Sequence, residues 1–431
     1  MDGVPSSSPA VALERPTGQR RLVRRIFSAP ALIVPTFIAV HIWLGVWGLT
    51  HYGWPFGDVT SVYHWWSYQA VREGTWFGLT DQWVYPLLAM IPMLLTLLFS
   101  TSFGLDYTVT WLGLVTVLDV AALLVFTEGL RNRHRLRLVW WWMAALLALG
   151  PVAIGRIDVV ALALAIMGLS LLEHRPRAAG LLLAVGTWVK IWPAALLLAG
   201  LAAFRRARRR LVMPGVWLTA GLAALAMLVS AVRGQGLSGL ATLFGFVRGQ
   251  TSRNLQVEAV GATWGLWQAR AGDGSVVYNT EIYTNELISD SSVAITQGVT
   301  VAMGLIAAAV ALLALVQVRR SREPRLVAAW ASLALVTALI VCNKVGSPQF
   351  EVWLIAPVLL LGAMRAPHWW RPAVLVTLIG VLTQVIYPYW YGYLLNLSEW
   401  MLWVITVRNL ALVALMVWGV VGLMRLPRVR R

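Results

Sequence analysis

Apolar runs as long as Leu211 to Val232 and Val293 to Val318 recur along this sequence, and short arginine-rich segments separate them. A helix needs ~20 apolar residues to cross the hydrocarbon core of a bilayer, and at that depth its backbone polar groups must be satisfied within the segment. The chain is therefore expected to be all-α, a polytopic transmembrane helical bundle. Composition agrees: 12% of the 431 residues are charged, about half the share of an ordinary soluble domain. Many of the 24 tryptophans stand near the ends of apolar runs, where indole rings favour the membrane–water interface.

A net charge of +17 would ordinarily point to nucleic acid or an acidic surface. Here the arginines cluster between the apolar runs, at 15–25, 131–137, 175–177, 205–210, 319–325, 365–371 and 425–431. That is the positive-inside pattern. The clusters are assigned to the cytoplasm, and no nucleic-acid partner is expected, since no reader motif accompanies the charge. The one cysteine, Cys342, cannot form an internal disulfide and is read as packing. The polar, then basic, N-terminal stretch is read as a cytoplasmic tail over 1–28. The apolar run after it is too long for a signal peptide and lacks a clear small-residue cleavage site.

With the basic clusters inside, topology becomes a matter of parity. A first span over 29–50 leads outward to 51–83. The stretch 84–100, interrupted by Pro86 and Pro92, is expected to be an interfacial or re-entrant helix, and 106–130 returns. Two short apolar pieces between Arg137 and Arg175 turn at Gly155-Arg156-Ile157-Asp158, and a second short pair between Arg177 and Arg205 turns near Lys190 and Pro193. Short pairs leave a funnel, since irregular backbone at membrane depth must line a cavity or be buried in protein. Further spans are expected at 211–232, 294–318, 326–343, 351–364, 373–390 and 400–424, twelve in all, with both termini cytoplasmic. The organisation is then a tail (1–28), a catalytic transmembrane module (29–232), a large extracytoplasmic loop (233–293) and a C-terminal transmembrane module (294–431). No sharp internal repeat argues for an inverted-repeat transporter.

Of 35 basic residues only Lys190 and Lys344 are lysines, and parity puts both at outer ends of spans. Lysine is a compact point charge and a common phosphate binder, whereas a lysine that merely snorkels would serve the headgroups. The pair favours an anion site. Arg156 and Asp158 share one outer turn, as a local salt bridge or as site residues; Arg253 and Glu258 lie in the outer loop. Asp119, inside a span, is expected to be a buried hydrogen-bonding group, with Arg408 paired to it or to a carbonyl. Asp58, at the outer boundary among Trp54, Phe56, Tyr63, Trp65 and Trp66, is the carboxylate best placed for general-base work, and aromatic faces there suit sugar rings or lipid chains. His51 and His64 flank it as belt residues or proton-transfer groups. No metal-ligand spacing, Gly-rich phosphate loop or paired Asp motif is present, so no metal or cofactor is expected.

An Asp after the first span, an aromatic helix and a Tyr-Pro (Asp58, Tyr63, Tyr85 and Pro86) are followed by a Gly-Arg-x-Asp turn (Gly155, Arg156, Asp158). Then come a Lys-aromatic-x-Pro turn (Lys190, Trp192, Pro193), an Arg-x-x-Gln-x-Glu segment (Arg253, Gln256, Glu258) and a Ser-Pro element (Ser347, Pro348, Phe350, Trp353) with Lys344 just before it. In this order, over about 30 to 360, the chain resembles the C-type glycosyltransferase superfamily, and within it the bacterial polyprenyl-phosphate-mannose-dependent α-mannosyltransferases. The resemblance implies Asp58 as general base, with Lys190, Arg253, Lys344 and Arg156 at the donor phosphate. His51, His64, Tyr63, Asp158, Gln256, Glu258, Gln349 and Glu351 are then substrate-binding candidates. Many relatives carry histidine after the Ser-Pro, where this chain has Gln349, Phe350 and Glu351; Glu351 is the candidate replacement. The implied function is inverting transfer of a sugar, foremost mannose, from a polyprenyl-phosphate carrier to a glycolipid such as a phosphatidylinositol mannoside or to a lipid-anchored glycan. It would take place outside the plasma membrane, by a monomer among membrane lipids. Rival readings are a lipid-linked arabinofuranose transferase and a non-enzymatic transporter or flippase of lipid-linked sugars.

Overall fold

The computed structural model describes residues 29–427 apart from 237, 252, 281–283 and 321, so the expected tail at 1–28 lies outside the described residues. Helix α1 (Pro30–Thr50) is followed by a helical run, α2, made of Asp58–Tyr63, His64–Tyr68 and Gln69–Glu73, and by α3 (Met90–Phe103) and α4 (Tyr107–Phe126). Then come α5 (Arg133–Leu149), α6 (Ile157–Leu171), α7 (Pro176–Val189), α8 (Pro193–Ala203) and α9 (Arg208–Val232). Short helices α10 (Ser238–Leu243), α11 (Gly245–Thr251) and α12 (Thr263–Ala271) lead to strands β1 (Gly274–Asn279) and β2 (Thr284–Ser289). The chain ends with α13 (Ser292–Arg319), α14 (Pro324–Val341), α15 (Ile355–Ala363), α16 (Trp370–Gln384), α17 (Tyr391–Leu395) and α18 (Glu399–Met424).

Local chemistry sets many of these boundaries. Proline opens α1, α7, α8 and α14, where its missing N–H would be unsatisfied in any case. Asp106 caps α4 by accepting from Val109 N–H, and Asn132 caps α5 by accepting from Arg135 N–H. Gly104 closes α3 in the left-handed conformation. Among the described residues, eight helices are long and apolar enough to cross a membrane. With Ile157–Leu171, Pro176–Val189, Pro193–Ala203 and Pro348–Ala363 they account for every segment expected to span. α3, in the stretch expected to be interfacial or re-entrant, extends about 20 Å, no longer than α7. The first arm of the 137–175 pair is longer than expected, because α5 starts at Arg133 and continues through a tighter turn to Ala153.

α5 and α14 are mostly buried, whereas α9 and α13 are mostly exposed, so the former line the bundle interior and the latter its lipid-facing flank. α6, α7 and α9 stack closely; a Cβ on Gly180 would stand 2.0 Å from the Leu211 carbonyl oxygen, the close small-residue approach common between membrane helices. The basic segments 131–137, 319–325 and 365–371 come together. Arg135 pairs with Glu128, Arg325 with Glu173, His134 Nε2 lies 2.8 Å from the Gly362 carbonyl oxygen, and Gln317 Nε2 donates to the Leu423 and Met424 carbonyls that end α18. The loop 233–293 is not a plain linker. α10 packs on α9, with Leu243 and Phe246 beside Trp188 and Leu222, and β1 and β2 form an antiparallel hairpin in register Gly274↔Ser289 to Asn279↔Thr284. The bundle is all-α as expected, with this short hairpin added in the loop. Its strands are too short and too polar to rival the apolar runs as a signal.

Of the two partners expected for Arg408, Asp119 or a carbonyl, it takes the carbonyl, that of Glu258, and adds Glu351. Asp119 Oδ2 lies 2.9 Å from His41 Nε2, both side chains fully buried between α1 and α4, and His41 Nδ1 lies 2.9 Å from the Phe37 carbonyl oxygen. Asp119 is thus the buried hydrogen-bonding group foreseen, with a partner contributed by the first span. Losing one member strands a buried polar or charged group, at a cost of about 3 kcal/mol. His41→Leu is expected to lower the thermal unfolding midpoint of the purified protein, and the double variant with Asp119→Leu to regain most of the loss. If the double variant were as unstable as the single one, the pair would not be the cause.

Candidate active site

Where α1 ends, residues 51–57 turn the chain back and present Asp58 at the start of α2. Phe56 is buried in a slot between Gly48 and Gly155; a Cβ on either glycine would stand within 2.4 Å of its ring. This plugs the end of α1 into the α5–α6 turn and brings residues about a hundred positions apart together. Arg156 Nε lies 3.1 Å from Asp58 Oδ2. Arg156 Nη1 donates to the Pro55 carbonyl at 2.6 Å and to its own neighbour Gly155 at 3.0 Å, and Nη2 donates to the Tyr387 hydroxyl at 3.3 Å. The guanidinium is buried, while the Asp58 side chain remains 37% exposed. Asp58 is therefore held by one oxygen and open to its surroundings.

The local Arg156–Asp158 salt bridge is not formed. Asp158 points instead into the bundle, where Oδ1 accepts from Trp353 Nε1 at 2.7 Å and Oδ2 lies 3.6 Å from Lys190 Nζ. Two residues apart across a helix start, the two side chains leave in different directions (Arg156 is extended and Ile157 begins α6). Lys190 caps the end of α7 through its N–H to the Gly186 carbonyl. Its ammonium lies 4.4 Å from the Tyr85 ring centre and 5.7 Å from that of Phe350, within reach of a cation–π attraction. Phe350 stacks on Trp353, which stacks on Trp192. Tyr63 ties the two halves. Its hydroxyl accepts from Ile157 N–H at 3.1 Å and hydrogen-bonds Tyr85, so Asp58 and Lys190 flank one buried tyrosine pair.

A second polar group adjoins the first. Arg253 feels both Tyr85 and Glu286, and burial holds its guanidinium below the usual arginine range against their opposing pull. Gln256 N–H donates to the Lys344 carbonyl at 2.9 Å, and Gly346 N–H donates to Gln256 Oε1 at 3.2 Å, so the loop motif and the Lys344 turn are sewn together. Lys344 is itself buried, which lowers its ammonium below the usual lysine range. Arg408 reaches in from α18. Nη1 donates to Glu351 Oε1 at 2.7 Å and Nη2 to the Glu258 carbonyl at 2.8 Å. The Glu258 carboxyl hydrogen-bonds Tyr391, whose ring packs against Tyr387 at 5.5 Å. A polar chain thus runs from Asp58 through Arg156, Tyr387, Tyr391 and Glu258 to Arg408 and Glu351.

Sequence reading placed Asp58, Arg156, Asp158, Lys190, Arg253, Gln256, Glu258 and Lys344 in one region, and the fold gathers them there. It does not leave Glu351 open as a replacement for the histidine of relatives: Glu351 is buried and bound to Arg408, and its neighbour Phe350 faces Lys190 instead. Gln349 is also buried. His51 stands outside the cluster against Trp47 and Tyr389, and His64 stacks on Tyr107 at 4.6 Å. Tyr387, Tyr391 and Arg408 were missed as site residues. The aromatic run from Tyr387 to Tyr393 was the available signal, but an interfacial belt has the same composition.

The pattern of Glycosyltransferase family 87 matches residues 83–343, more than half of the chain. The chain belongs to that family. The matched stretch contains Arg156, Asp158, Lys190, Arg253 and Glu258, while Asp58, Lys344 and Glu351 lie outside it. No curated protein and no solved structure matches the chain.

Burial pushes the Glu258 carboxyl up to about 7, against the hydrogen bond from Tyr391 and the charge of Arg408, which pull it down. A carboxyl raised on folding binds more protons in the folded chain. Its contribution to stability is complete below the ordinary glutamate range and is lost as pH rises through about 7. Glu258→Gln is expected to flatten the fall of the unfolding midpoint between pH 5 and 8; a variant with the wild-type slope would assign that titration elsewhere.

Proposed function

We propose that this family 87 glycosyltransferase moves a sugar, foremost mannose, from a polyprenyl-phosphate carrier to a glycolipid or lipid-anchored glycan on the non-cytoplasmic side of the plasma membrane. The observation that carries the reading is the arrangement of Asp58, partly exposed and fixed by Arg156, beside the Tyr63–Tyr85 pair that Lys190 caps from the other side. A base and a cation held across such a pair suit a transfer that must take a proton from one partner and receive a phosphate from the other.

The chemistry runs as follows. The acceptor hydroxyl lies at Asp58, whose Oδ1 is not part of the Arg156 pair. As the hydroxyl oxygen bonds to the anomeric carbon, its proton passes to the Asp58 carboxylate and the carbon–oxygen bond to the carrier phosphate breaks, its electron pair leaving with the phosphate. Lys190, Arg253 and Lys344 meet the charge that builds on the departing polyprenyl phosphate. Attack opposite the leaving group inverts the centre, so a β-linked donor gives an α-linked product. Arg156, proposed from sequence as a phosphate ligand, is given a different part: its buried hydrogen bonds orient Asp58. The outward placement is supported by the basic segments between the spans, which the positive-inside rule assigns to the cytoplasm.

General-base catalysis is worth ~10²–10⁴ in rate. Asp58→Asn is expected to cut transfer from polyprenyl-phosphomannose by about a thousandfold while donor affinity stays within a factor of ~3 of wild type, since the cations that hold the phosphate are untouched. Transfer at the wild-type rate would remove Asp58 as the base. A wild-type protein that transfers arabinofuranose and no mannose from a panel of polyprenyl-phosphate sugars would change the donor and keep the mechanism.

A further inference from the structure

Between Gly53 and Gly57 the side chains of Pro55 and Phe56 are buried and that of Trp54 is not. Gly53, at φ +95°, lies so close to Pro388 that an added Cβ would stand 2.8 Å from the proline Cβ. Pro55 gives its carbonyl to Arg156 at 2.6 Å, and Phe56 is plugged between Gly48 and Gly155. Gly57 N–H closes the turn on the Trp54 carbonyl at 2.9 Å. Trp54 alone points outward. Its side chain is 77% exposed, and its backbone is held at φ +49°, in the left-handed region that a bulky residue seldom occupies. Such a conformation persists only where the surroundings impose it, and it clusters at ligand sites.

The same guanidinium grips both the residue after Trp54 and the carboxylate four residues on: Arg156 binds the Pro55 carbonyl and Asp58. The indole and the base are therefore carried by one rigid unit. A tryptophan that served only to anchor the loop among lipid headgroups would need no fixed relation to Asp58, whereas a ring that must present one hydroxyl to that carboxylate does. Tyr52, 66% exposed and packed edge-on to Tyr389 at 5.9 Å, extends the aromatic surface beside it.

We propose that Trp54 is the platform on which a saccharide or polyol ring of the acceptor stacks, so that the acceptor presents a sugar-like ring to Asp58 and not a simple alcohol. This rests on the reading of Asp58 as the base of a glycosyl transfer.

The test uses the full chain in lipid nanodiscs with methyl mannobioside as probe, its binding followed by saturation-transfer NMR and its use as acceptor by transfer from polyprenyl-phosphomannose. Trp54→Ala is expected to weaken probe binding and raise acceptor KM by about tenfold or more, with donor affinity unchanged. Trp54→Phe, which keeps an aromatic face, is expected to stay within about threefold of wild type. These ranges follow from an aromatic contact of the order of a kcal/mol or more. Equal binding by Trp54→Ala and wild type overturns the platform, as does a wild-type protein that does not bind the probe; a shallower insertion of Trp54→Ala into vesicles with unchanged probe binding identifies an interfacial anchor and also overturns it. If the wild type binds the probe through Trp54 but transfers neither mannose nor arabinofuranose to it from polyprenyl-phosphate donors, the reading of Asp58 as the base of a glycosyl transfer falls and Trp54 stands as a saccharide-binding surface.

Discussion

A guanidinium taken out of water must have its hydrogens met, or it destabilises the fold by several kcal/mol. Arg156 meets that demand with Asp58, the Pro55 and Gly155 carbonyls and the Tyr387 hydroxyl. Those partners come from the end of α1, from the α5–α6 turn and from the segment after α16. Satisfying one buried charge thereby fixes three parts of the chain, and the candidate base is among them. Arg408 likewise joins distant segments from α18, where the Glu258 carbonyl and Glu351 answer two of its nitrogens and where the loop motif is joined to the segment that places Phe350 over Lys190.

The short helices follow from the same demand. α6, α7, α8 and α15 stop within the bundle, and the turns between them carry Arg156, Lys190 and the Ser347–Trp353 segment. Backbone that leaves the helix at such depth needs partners from the protein, and the tyrosines, tryptophans and loop carbonyls around the site provide them. Trp111 Nε1 donates to the Ile154 carbonyl and Tyr63 accepts from Ile157 N–H, so the broken stretch before α6 is braced from α4 and α2. Around Asp58 the aromatic residues divide by role. Phe56 and Tyr63 are buried and hold the loop and the base in place, while Trp54 and Tyr52 face outward.

Most of the helical layout was legible in the sequence, because the apolar length needed to cross a bilayer and the placement of arginine are both one-dimensional signals. Parity counting found each long segment and the short pairs turning at Arg156 and Lys190. It missed the hairpin of β1 and β2, whose short polar strands carry weak alternation, and it shortened α5, whose first turn is basic. The site residues were legible as a set, since a lysine kept among arginines and a carboxylate at a span end stand out chemically. Their pairings were not. Sequence proximity suggested Arg156 with Asp158, yet the helix start between them sends one toward Asp58 and the other toward Lys190 and Trp353.

By itself the sequence determined a membrane-embedded helical bundle and singled out its rare lysines and outlying carboxylates, because hydrophobic length and residue type act one by one along the chain. Only the tertiary structure decided which charge answers which: His41 with Asp119, Arg156 with Asp58, Lys190 with Asp158, Arg408 with Glu351. Ion pairing depends on distances of a few ångströms between segments up to about a hundred residues apart, and those distances exist only once the helices have packed.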